Sequence, residues 1–236
     1  MKPQLTFRDA FADASPIIVS GFMFGLVFGV LASKAGLTAF STTVMSLLVF
    51  AGASQFIAVE QWNGGQLSLL GVVLTTLLIN LRHVLMSLSL RRSFARVSKW
   101  KLLPSFALLL IDETWALAEH RFKRAEASLD YFVQTGLLIY AGWVLGSLTG
   151  TQLGSHIPNP QQYGLDFTFI AMFLSLMTLL WQRWLDFAIW LLSGVIACMV
   201  MHLPGLGDAA VVIAAVVASA VVAALPLPQQ TAGDTA

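Results

Sequence analysis

Between Phe50 and Trp62 the chain reads FAGASQFIAVEQW. The stretch continues a long apolar run, yet it strings together Gly52, Ser54, Gln55 and Glu60. Such residues weaken a helix where a membrane helix would have to continue: glycine costs conformational entropy, and serine offers the backbone a competing hydrogen bond. Whether this stretch crosses a bilayer or breaks inside it decides the fold.

That a bilayer is the solvent follows from composition. Hydrophobic residues make up 57% of the 236 residues, charged residues 11%, and mean hydropathy is +0.79. A soluble domain carries about 25% charged residues, so there are too few charges here to coat a water-facing surface. The uncharged runs 14–33, 35–59, 61–81, 131–165, 167–182, 187–207 and 209–232 mostly reach the roughly 20 residues that a membrane helix needs. The expected fold is an all-α integral membrane protein of about six to eight hydrophobic helices, including discontinuous or re-entrant segments. Residues 1–15 read as a cytoplasmic N-terminal segment, 16–225 as a single polytopic domain, and 226–236 as a disordered tail. Asp9 and Asp13 make the N-terminus a poor signal peptide. A net charge of +1 gives no reason to expect nucleic acid as a partner. Cys198 stands alone in an apolar run and reads as a core residue.

Charge sets the orientation. Arg91, Arg92, Arg96, Lys99 and Lys101 form one basic cluster, and Arg121, Lys123 and Arg124 a second. The positive-inside rule puts both in the cytoplasm, with only residues 102–118, LLPSFALLLIDETWALA, between them. That segment either spans at minimal length against the charge rule or dips in and returns. Residues 38–62 pose the same question from the outer side. The charge rule favours two discontinuous segments approaching one site from opposite faces. Irregular backbone at that depth is tolerated where protein or a water-filled cavity surrounds it.

Two glycine ladders, Gly21/Gly25/Gly29 and Gly142/Gly146/Gly150, recur at four-residue spacing. Tight helix packing explains each; together they could mark corresponding helices of internal repeats.

Thr76, Asn80, His83 and Ser87 fall at i, i+4, i+7 and i+11, on one helix face near mid-bilayer. Isolated polar residues in a span commonly make only an interhelical hydrogen bond. A stripe holding both Asn and His is a candidate site. Arg82, one position off it, either snorkels to the interface or pairs with a carboxylate. Asp112 and Glu113 are the carboxylates placed to mark a pathway or proton relay, with a solvated helix end as the alternative. Asp166, Asp186 and Asp208 fall at span edges. Neither zinc-ligand spacing nor HExxH or GxSxG occurs, and the chain is expected to be no enzyme, with no metal and no cofactor. A channel or scaffold subunit of a membrane complex is the alternative to a transporter.

FAGASQFIAVEQW, LTTLLINLRHVLMSLSL, IDETWALA and LDFTFIAMFLSLM, in that order, resemble the AzlC (YgaZ-like) family, large subunits of bacterial branched-chain amino acid exporters. The resemblance runs from about residue 10 to the last span. It departs at Met86 and Ser87, where an aromatic–glycine pair is usual, and at Trp115, where Phe is usual. It implies a secondary exporter of branched-chain or similar apolar amino acids in the bacterial cytoplasmic membrane, driven by proton-motive force. The implied partners are a small hydrophobic AzlD-type subunit, the amino acid and the lipid bilayer. The expected substrate site is Gly52, Ser54, Gln55, Phe56, Asn80 and His83, with Phe22 and Phe24 as further apolar candidates; Asp112, Glu113 and Arg82 are the expected relay or ion pair. In this reading Gly52 permits unwound backbone, and broken-helix ends hold the carboxylate and ammonium of the substrate.

Overall fold

The computed structural model of the protein describes residues 4–63, 69–95, 97–154, 156–157, 160–164, 167, 174, 184–202, 217 and 220–221. Asp166, Asp208 and the 226–236 tail lie outside the described residues, as does the side chain of Asp186. The chain forms two compact units, Met1–Met172 and Phe173–Ala236.

The first unit holds α1 (Phe7–Lys34), α2 (Ala39–Leu48), α3 (Gly52–Asn63), α4 (Leu69–Arg91), α5 (Lys99–Leu109), α6 (Asp112–Arg124) and α7 (Leu129–Gly154), followed by a 3-10 turn at Pro160–Tyr163. The second holds α8 (Trp184–Met201). No strand occurs among the described residues. Among the described residues three helices are long and apolar enough to cross a membrane: Phe7–Lys34, Val72–Arg91 and Leu129–Gly154. Cys198, expected in the core, is exposed on α8. An apolar residue in a membrane helix faces lipid as readily as protein, so apolar surroundings in sequence do not imply burial.

The frame is the α1–α7 pair. Gly142 faces the carbonyl of Ile18, Gly146 that of Phe22 and Gly150 that of Leu26, while Gly25 and Gly29 receive the Trp143 and Ser147 carbonyls. Contacts on both helices advance together along the chain, so the helices run parallel. A Cβ at Gly25 would lie 2.5 Å from the Trp143 oxygen, and one at Gly142 2.9 Å from that of Ile18. The two ladders are thus halves of one interface, which is the packing reading and not a mark of repeated copies. At the start of α1, Thr6 and Asp9 close a capping box. One turn further, Asp13 takes Arg121 Nε at 2.5 Å, Arg121 Nη2 at 2.6 Å and the Tyr131 hydroxyl at 2.7 Å, tying α1, α6 and α7 together at one end.

Both broken segments fold as helical hairpins. The Phe94 ring, beyond the end of α4, packs against Phe106 of α5 at 5.8 Å and Phe122 of α6 at 5.4 Å, so both arms of that hairpin meet at the end where Asp13 holds Arg121. Its tip reaches two turns into α7, where Leu109 packs on Gly136. In the other hairpin Gln55 Nε2 donates across to Ser46 Oγ at 3.4 Å. Its tip reaches the middle of α7: Phe50 packs edge-on against Tyr140 at 5.1 Å. Its outer ends lie with Leu37, where Met45, Val59 and Trp62 line one shallow pocket. A long helix followed by a broken hairpin therefore occurs twice, as α1–α2–α3 and, inverted, as α4–α5–α6. Inverted repeats with broken helices at mid-depth are the architecture of many transporters.

The described members of both basic clusters lie at the end marked by Asp13, the arrangement that the charge rule predicts for a shared side. Cysteines at Ser93 and Glu126, both exposed, are accordingly expected to resist an impermeant thiol reagent applied outside intact cells in a Cys198→Ser background. A cysteine at exposed Glu60 should react. Labelling of Ser93→Cys but not Glu126→Cys would require 102–118 to span.

Candidate functional site

The two hairpin tips meet at one cavity of about 60 Å³. Its walls come from α1 (Ile17, Ser20, Gly21, Phe24), the first break (Phe50 to Ala53), α4 (Arg82, His83), the second break (Ile111, Asp112, Glu113) and α7 (Ile139, Trp143).

Each break leaves helix-end groups to satisfy. α2 stops at Leu48, and the freed Leu47 carbonyl accepts the Tyr140 hydroxyl at 2.8 Å. Gly52 opens α3 directly against Trp143, where a Cβ would sit 2.9 Å from the indole ring. Positive φ among the described glycines occurs at Gly36 and Gly164, so Gly52 serves this contact and not an unwound conformation. At the second break Leu110 and Ile111 are extended, and the fully buried Thr114 bridges the gap. Its hydroxyl donates to the Leu109 carbonyl at 2.7 Å and accepts from the Ile111 N–H at 3.0 Å.

Two helix N-termini thus face the cavity, and they differ. α6 opens with Asp112 and Glu113, which offset its partial positive charge. α3 has no acid in its first turn, so its amides remain available to an anion. Arg82 Nη1 holds Asp112 Oδ2 at 2.7 Å, linking α4 to the inner hairpin. Glu113 has no ion-pair partner among the described residues. One guanidinium faces two carboxyl groups here, and with Arg82 committed to Asp112 the Glu113 carboxyl is left without a cationic partner among the described residues. Such a site suits a small zwitterion: an ammonium at Glu113, a carboxylate at the α3 amides, and an apolar group against Ile17, Phe24 and Ile139.

Of the residues singled out in the sequence, Gly52, Arg82, His83, Asp112 and Glu113 line the cavity, as does Phe24. His83 Nδ1 donates to the Asn80 carbonyl at 3.1 Å. Ser54 and Asn80 stand just behind the wall, with Ser54 Oγ donating to Asn80 Oδ1 at 3.3 Å. Gln55 and Phe56 point elsewhere. Gln55 is fully buried between the hairpin arms, and Phe56 packs edge-on against Phe28 at 5.8 Å and Trp143 at 6.4 Å. Trp143 and Tyr140 escaped the sequence reading, since neither belongs to a polar run. The glycine ladder around Trp143 was the available signal, because it fixes which face of α7 turns inward.

Crossing helices, inverted broken hairpins and a charged cavity where their tips meet define the architecture of a membrane transport protein. The chain belongs to the AzlC family: the family described as AzlC protein matches residues 16–157, from α1 through α7. Among curated relatives, a membrane protein of Helicobacter pylori strain J99 is 34% identical over 191 residues, covering 78% of this chain and 82% of the relative. The branched-chain amino acid transport protein AzlC of Bacillus subtilis strain 168 is 28% identical, covering 75% of this chain and 68% of its own length. The inner membrane protein YgaZ of Escherichia coli K12 is 29% identical, covering 75% and 74%. No solved structure matches the chain.

Proposed function

We propose that this chain is the large subunit of a secondary exporter that moves branched-chain or similar apolar amino acids out across the bacterial cytoplasmic membrane, driven by the proton-motive force. The observation that carries the reading is the meeting of two oppositely inserted hairpins at a cavity with a free carboxylate, free helix amides and apolar walls. The name of the Bacillus subtilis relative supports the substrate class.

In this reading the substrate ammonium binds Glu113, its carboxylate binds the first amides of α3, steadied by Ser54 and Asn80, and its side chain lies against Phe24, Ile139 and Trp143. One carboxylate that takes either a proton or an ammonium, but not both, couples the two fluxes as an antiport. Asp112 is committed to Arg82 and holds the inner hairpin tip. The chemistry is transport without a covalent step, and it needs no cofactor. The small AzlD-type subunit is proposed to cover apolar surface that the chain leaves exposed.

The test is transport of labelled leucine or valine by the chain reconstituted with such a subunit. Accumulation against the substrate gradient, collapsed by a protonophore, is the expected result. Equilibration alone, insensitive to the proton gradient, would favour the channel reading. The absence of leucine or valine movement in either condition would remove the substrate assignment.

A further inference from the structure

A groove of about 430 Å³ runs between α4 and α5, outside the central cavity and much larger than it. It exists because α5 turns its packing face to α7, with Leu109 on Gly136 and the Phe106 and Phe132 rings 5.3 Å apart, and so diverges from α4. Its walls are Val84, Leu88, Leu103, Phe106 and their apolar neighbours; Leu88 and Leu103 are more than half exposed. Its rim at the basic end is Arg91 and Lys99.

That rim is uncompensated. No acidic residue occurs anywhere from residue 61 to residue 111, while five lysines and arginines fall between 91 and 101. Among the described residues neither Arg91 nor Lys99 makes an ion pair. Lys99 lies over the exposed Trp100 ring, 5.6 Å from its centroid, and an exposed tryptophan at a helix end marks the headgroup level of a bilayer. The groove thus pairs an apolar slot at acyl-chain depth with two free cations at headgroup depth. A bare helix from another subunit would match the slot but leave the cations unanswered. We infer that the α4–α5 groove binds one anionic phospholipid, its acyl chain along Leu88, Leu103 and Phe106 and its phosphate on Arg91 and Lys99. At its inner end the groove reaches His83, which also lines the central cavity, so the bound lipid would abut the wall of the proposed site.

The test is native mass spectrometry of the full-length protein exchanged into phosphatidylglycerol or phosphatidylethanolamine. The wild type should retain one phosphatidylglycerol preferentially. Arg91→Gln with Lys99→Gln should lower that retention roughly 30-fold, since each of the two basic residues near a membrane surface contributes roughly fivefold to anionic lipid binding. The same charge removal at Arg92 and Lys101, outside the groove, should leave it unchanged. Leu103→Trp, which fills the slot with both cations intact, should lower retention as well. The exchange Arg91→Lys with Lys99→Arg preserves both charges and should keep it, which guards against misfolding of the first pair. Equal retention of the two lipids, or equal loss from both double variants, would overturn the inference. So would a photo-crosslinker at Leu103 that captures a polypeptide in native membranes instead of lipid.

Discussion

Glu113→Gln is expected to abolish gradient-driven export and to weaken amino-acid binding by at least ~30-fold. In the proposed complex the bound ammonium would cover the Glu113 carboxylate, which is exposed without it. Removing one partner of such a buried charge pair costs about 2–5 kcal/mol, and the lower bound of that range corresponds to roughly 30-fold. Glutamine keeps the shape of a protonated carboxyl, so the loss would be of charge and not of packing. Asp112→Asn should behave differently. It strips Arg82 of its carboxylate and leaves a cation at membrane depth, so the damage falls first on the hairpin tip and the amount of folded protein. The double variant Arg82→Gln with Asp112→Asn removes both charges and should recover much of that fold. The sequence offers Asp112 and Glu113 alike as relay candidates; the ion pair of Asp112 to Arg82 is the reason the proposed coupling role goes to Glu113. Calorimetric proton release on leucine binding, present in the wild type and absent from Glu113→Gln, separates a coupling carboxylate from a structural one. Wild-type accumulation by Glu113→Gln vesicles would remove Glu113 from the mechanism.

The membrane class was legible from run lengths and charge scarcity, because a bilayer imposes a one-dimensional rule on the chain. The helical hairpins were legible as breaks in the apolar runs, and the two basic clusters, which cannot lie on one side if 102–118 crosses, are the reason for reading them as re-entrant. Residues within the site were legible only in part. Ser54, Gln55 and Phe56 are consecutive on a short helix and therefore point about 100° apart. Which of them faces the cavity depends on the rotation of α3, and Trp143 against Gly52 sets that rotation. A partner 91 residues further along the chain leaves no local trace. Asp13 is a similar case. It read only as an acid spoiling a signal peptide, whereas it holds Arg121 by two hydrogen bonds and Tyr131 by a third.

Gly150→Leu should prevent accumulation of folded protein, and the reason distinguishes glycines that the sequence treats alike. A Cβ at Gly150 would run into the Leu26 carbonyl, and one at Gly146 into that of Phe22. Both obstacles are backbone, so neither can rotate aside. The helices would have to separate, and in lipid their association rests on close van der Waals packing, with no hydrophobic effect to hold a looser pair together. Even one methyl group forced into a packed interior typically costs about 1–3 kcal/mol, so Gly150→Ala should already lower the melting temperature in detergent. Gly21 heads a ladder of the same spacing, yet its Cβ would meet Ile139 at 3.8 Å, an ordinary contact. Gly21→Ala should change stability by no more than ~0.5 kcal/mol. The effect on the site follows the same geometry. Ile17 and Phe24 of α1 face Ile139 and Trp143 of α7 across the cavity, so parting the helices widens the space into which both hairpin tips dock. Any Gly150→Ala protein that still inserts should therefore lose transport more steeply than it loses stability. Equal melting temperatures for Gly21→Ala, Gly150→Ala and the wild type would mean that α1 and α7 do not interlock in the membrane.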